Sequence, residues 1–87
     1  MTNLSENWKV EYEYAIEGAK VPLAPGVIFR LQGENGKSYR FIKAVTNSKG
    51  ETWIDCFGGS YQRQMSRAIF PERIVPKSVK VPKERNG

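Results

Sequence analysis

Two runs of pleat-favouring residues, separated by four polar ones, dominate the chain: Ser38–Thr46 reads S-Y-R-F-I-K-A-V-T, then comes N-S-K-G, and residues 51–57 read E-T-W-I-D-C-F. Tyr, Phe, Ile, Val, Thr and Trp suit a half-buried pleated surface, and Asn47 and Gly50 tolerate left-handed turn angles. The stretch predicts a β-hairpin. A loop centred on Ser48-Lys49 pairs Thr46 with Glu51, Val45 with Thr52 and Ala44 with Trp53. Paired residues share a face. One face then carries Tyr39, Phe41, Val45, Ile54 and Cys56, interrupted by Lys43, and is the better core. The other carries Arg40, Ile42, Ala44, Trp53, Asp55 and Phe57, with Arg40 opposite Phe57 and Asp55 opposite Ile42. This second face is either covered by another strand or forms a recognition surface from Trp53, Asp55 and Phe57.

The remaining segments fit around that hairpin. Residues 8–16 (W-K-V-E-Y-E-Y-A-I) alternate without a slip, placing Trp8, Val10, Tyr12, Tyr14 and Ile16 on one side of a strand. The outer face of the hairpin is the surface that such an aromatic strand would cover. Pro22 and Pro25-Gly26 break the chain before V-I-F-R-L at 27–31, and Q-G-E-N-G-K turns it into the hairpin. Gly58-Gly59 interrupts the ladder, Ser60 to Gln64 reads as a loop, and M-S-R-A-I-F at 65–70 as another strand. Pro71-Glu72-Arg73 suits one helical or 3-10 turn, and Ile74-Val75 closes the sheet. Five or six short antiparallel strands with one late 3-10 turn predict a mostly-β, small SH3-like (Tudor-like) barrel, with an OB-like barrel as the alternative. The domain spans 8–75, after a flexible N-terminus at 1–7 and before a basic, proline-interrupted tail at 76–87, in which Val79 and Val81 form at most a short edge.

With W-K-V-E-Y, P-G-V-I-F-R-L, Y-R-F-I-K-A-V-T, W-I-D-C-F-G-G and R-A-I-F-P-E-R-I in this order, the chain resembles a family of short proteins encoded by actinobacteriophages and their hosts. The resemblance covers roughly residues 8 to 75. It implies a phage-like origin and a cytoplasmic setting, that of the bacterial host, and carries no site residues with it.

Histidine is absent, which removes His-based acid–base chemistry, Ser/His and Cys/His nucleophile pairs, and nearly all zinc sites. Cys56 is the single cysteine and adjoins Asp55, whose carboxylate raises rather than lowers a thiol pKa. Glu11 and Glu13 share a strand face about 7 Å apart, but glycosidase-type carboxylate pairs sit in deep clefts. Gly58-Gly59 lacks the Lys-Ser/Thr and helix of a phosphate loop. The chain is therefore expected to be no enzyme and to need no cofactor. No run approaches the ~18 apolar residues of a bilayer span, and the first residues show no signal-peptide pattern, which points to the cytoplasm and away from membranes.

Charge is the remaining signal. Residues 1–29 hold two basic groups against four acidic ones, a net −2, while residues 30–87 hold twelve against five, a net +7. A binding module is expected, with nucleic acid as first partner. Arg63, Arg67 and Arg73 would contact phosphates, helped by Arg40, Lys43, Lys77 and Lys80, with Tyr61 or Tyr39 offering a stacking face. The alternatives are a bacterial host protein held through Trp53, Asp55 and Phe57, and a minor structural role in a virion.

Overall fold

A computed structural model describes residues 8–82. Five antiparallel strands, β1 (Lys9–Glu11), β2 (Ile28–Phe29), β3 (Ser38–Thr46), β4 (Thr52–Ser60) and β5 (Arg63–Ile69), form one open sheet in the order β1-β3-β4-β5. β2 pairs with the far end of the β3 edge that β1 occupies. After β5 come two 3-10 turns, Pro71–Arg73 and Pro76–Ser78, each opened by a proline whose ring presets the first helical angle. The chain between and after them returns to β2. Val75 N–H donates to the Arg30 carbonyl at 3.0 Å, and Ile28 and Lys80 exchange two bonds of 3.0 Å. A meander whose 3-10 turn leads to an edge laid back on the first core strand is the SH3-like order, not the Greek key of an OB barrel. Among the described residues no helix is long and apolar enough to cross a membrane.

The central hairpin forms, but its pairing changes halfway. Asn47 closes the turn from both sides: its N–H donates to the Glu51 carbonyl at 2.9 Å, and its Oδ1 accepts from the N–H groups of Lys49 and Glu51. Gly50 takes the left-handed angle inside it, with φ of 87°. Residues 47 and 51 are thereby spent on the turn, and the ladder resumes with Thr46 opposite Thr52, their hydroxyls 2.8 Å apart. The pairing of Thr46 with Glu51 expected from sequence is thus one step off. A bulge at Ile42 removes the offset, so the expected pairs Phe41–Cys56 and Arg40–Phe57 do occur. The bulge also moves Ala44 to the core side, opposite Ile54, and sets Val45 opposite Trp53 on the outer side.

The core gathers Leu23, Phe29, Phe41, Ile54, Cys56 and Ile74, all fully buried, each large apolar side chain contributing about 1.5–3 kcal/mol. Two expectations are corrected by the structure. The strand foreseen at 8–16 stops at Glu11, and Tyr14 then pairs with Leu23, so Trp8 and Val10 stay partly exposed while Tyr14 and Ile16 pack on the core. β4 runs unbroken through Gly58-Gly59 to Ser60, leaving only Tyr61 and Gln62 as a turn. Past Pro76 the chain still packs on the domain: Val79 is buried in the core and Lys80 is bonded to β2. The N-terminus expected to be flexible at 1–7, and the last part of the basic tail, 83–87, lie outside the described residues.

Candidate nucleic-acid interface

Where the returning edge meets β2, the backbone brings four cations together. Ser78 Oγ accepts from Arg30 N–H at 2.8 Å and donates to the Val75 carbonyl at 2.6 Å, which pins the second 3-10 turn against β2. Lys77 on that turn, and Lys80 two residues beyond it, line the same cleft as Arg30. The turn preceding β3 delivers Lys37 from the opposite side. These residues, with Ile28, Gly36 and Ser38, line a cleft of about 420 Å³ that holds no carboxylate among the described residues. Lys37 also lines a second, smaller cleft of about 110 Å³, together with Arg63, Arg67, Gly58 and Gly59.

Pairing carries this basic surface onto the sheet. Ile28, in the first cleft, is the partner of both Lys80 and Arg40; Arg40 is opposite Phe57, and Phe57 opposite Ser66. Lys80, Ile28, Arg40, Phe57 and Ser66 thus form one transverse row on one face. Phe57 stays 43% exposed in the middle of it. Asp55 stands one row on, opposite Lys43, and Trp53 beyond that, half covered by the Trp8 ring in edge-on contact at 5.3 Å.

Two of the expected phosphate contacts are already occupied. Glu34 Oε1 and Oε2 accept from Arg67 Nη1 at 3.0 and 3.1 Å, and Oε2 also accepts from Arg73 Nη2 at 3.1 Å. The Tyr39 hydroxyl donates to Glu34 at 2.8 Å and accepts from Arg67 at 2.8 Å. The Tyr39 hydrogen bond, followed by those from the two arginines, holds the Glu34 carboxyl below its ordinary pKa, and the Glu34 bond holds Arg67 above its own. Burial pushes the Tyr39 phenol up. Its ring is buried, with Phe29 against it and the Arg67 guanidinium 5.4 Å from its centre, so no base can reach it. Tyr61, by contrast, is 95% exposed at the hairpin tip.

The structure therefore gathers Lys77 and Lys80 with Arg30 and Lys37, places Arg40 beside them, and sets Arg63 and Arg67 in the adjoining cleft. Arg73 is engaged by Glu34 and the Gln32 carbonyl, and Lys43 lies apart near Asp55. Of the residues assigned to a protein contact, Phe57 is exposed while Trp53 and Asp55 are half-buried. Arg30 and Lys37 were missed, although the alternation in V-I-F-R-L sets Arg30 on the side away from Phe29. Cys56 is fully buried, and that burial raises its thiol pKa to about 11, which makes it a core residue rather than a nucleophile. No three potential metal ligands cluster among the described residues.

No curated protein and no solved structure matches the chain. A family model described as a domain of unknown function (DUF7246) matches residues 1–86, and the chain belongs to that family.

Proposed function

We propose that the domain is a non-enzymatic binding module that receives the phosphate backbone of a nucleic acid in the basic cleft. One observation carries this reading: Arg30, Lys37, Lys77 and Lys80 line a single cleft with no carboxylate among the described residues of its lining. Clustered like charges repel one another, and a polyanion relieves that repulsion while releasing its own counterions. Fluorescence anisotropy with labelled duplex DNA and RNA at 50 and 200 mM salt tests it. Four to six phosphate contacts give a slope of log K against log salt of about −4 to −5 on duplex DNA. The double variant Lys77→Gln/Lys80→Gln flattens that slope by about two. No binding at 50 mM salt would remove the proposal.

A second reading rests on the opposite corner of the same face, where Trp8 and Val10 stay 39% and 43% exposed beside Trp53. An apolar partner surface would cover them. In the phage setting that the resemblance implies, the partner is a protein of the bacterial host cytoplasm. A complex that survives nuclease and is lost in Trp8→Ala supports this reading; one lost on nuclease treatment refutes it.

A further inference from the structure

We infer that the ligand is single-stranded, with a base stacked on Phe57 while its phosphates are held by Arg40 and the basic cleft. The inference rests on the backbone-binding reading above and adds the form of nucleic acid. Phe57 is a large apolar ring left exposed in the middle of a sheet face rather than at a fraying edge. Its direct cross-strand neighbour is Arg40, and the row continues through Ile28 to Lys80. At about 4.8 Å per strand, the row from Phe57 to Lys80 spans about 14 Å, so one continuous strand meets ring and cations together. The next position of β4 on the same face is Gly59, which offers no side chain to shield the ring. Ser66 on the other flank is small and uncharged.

A duplex keeps its base faces inside its own stack and offers this surface only phosphates. A single strand offers both, and because every base has a π face the contact is tolerant of sequence. Arg40 and Phe57 would therefore act as a pair, one on the backbone and one on the base. The same surface accepts DNA or RNA, since neither contact reads the sugar.

The test is anisotropy of fluorescein-labelled dT12, rU12 and a 12-base-pair duplex against the full chain, with the wild type, Phe57→Ala, Phe57→Leu and Phe57→Trp. Both single strands bind more tightly than the duplex. Phe57→Ala weakens single-strand binding about ten-fold or more, and leaves duplex binding within two-fold. Phe57→Leu, which keeps apolar bulk without a π face, reproduces that loss if the alanine variant fails to fold. Phe57→Trp restores affinity. Equal affinity for strand and duplex, or Phe57→Ala and Phe57→Leu proteins that bind dT12 and rU12 as the wild type does, overturns the inference and leaves the backbone reading standing. An absence of salt-dependent binding to all three probes overturns both.

Discussion

The hydroxyl of Tyr39 stands 2.8 Å from a Glu34 carboxylate oxygen, to which it donates, and 2.8 Å from Arg67 Nη1, from which it accepts. With Arg73 on the other carboxylate oxygen, one loop acid holds two arginines that the surface field would otherwise count as free. Glu34→Ala is expected to lower stability by about 1–3 kcal/mol in urea unfolding, because a phenol and two guanidinium groups lose a largely buried partner. The same variant should bind polyanions more tightly, since two cations are released, one of them, Arg67, in the second cleft. Weaker binding in a folded Glu34→Ala protein would contradict this.

Acid should expose the same network. The folded pKa of Glu34 lies below its ordinary 4.5, first through the Tyr39 hydroxyl and then through the arginines. Its stabilisation is complete above pH 4.5 and is lost as pH falls through the lowered value. The melting-temperature gap between wild type and Glu34→Gln should therefore close on acidification from pH 5 to 3. A gap that persists unchanged at pH 3 would sink the assignment.

Cys56 acts at the other end of the scale. Burial raises its thiol from 9.0 to about 11, so the folded state resists ionisation that the unfolded chain undergoes. Stability is intact below pH 9 and declines as pH rises from 9 to 11, by at most roughly 2–3 kcal/mol. Cys56→Ala should flatten that alkaline decline in denaturant titrations. Iodoacetamide should fail to label the folded wild type at pH 8, and rapid labelling would show that the thiol is accessible.

How much of this was written in the sequence differs from element to element. The hairpin, the β class and the late proline-led 3-10 turn follow from residue type and turn chemistry, which are local. The bulge at Ile42 is not local: it reconciles the Asn47 turn with the close backbone approach at Gly58. Alternation along 8–16 is real, yet periodicity is blind to a chain that leaves the sheet edge after Glu11. Val79 hides among prolines and lysines, and its burial depends on Lys80 finding β2. Arg67 looked like a free surface cation because its partner lies 33 residues earlier, in a glycine-flanked loop. Arg40 and Phe57 were legible as neighbours, but nothing local places Arg30, Lys37 and Lys80 at the end of their row.

Gly58 gives the sharpest stability test. A Cβ there would lie 2.7 Å from the Tyr39 Cα and inside the van der Waals contact of the Ser38 carbonyl oxygen, both backbone atoms that cannot swing away. Gly58→Ala is expected to cost about 3 kcal/mol in chemical denaturation, the upper range for overpacking. A substitution near neutrality would show that β3 and β4 can part there without penalty.

The extra residue at Ile42 means that the two halves of the ribbon are indexed separately, one from the Asn47 turn and the other from the glycine contact beyond Phe57. Deleting that residue would tie the two indices together and force one anchor to let go. A length change in the Asn47 loop, by contrast, has a place to be absorbed before it reaches Arg40 and Phe57. Arg40 and Phe57 are thus set apart from the Asn47 turn by a single surplus residue.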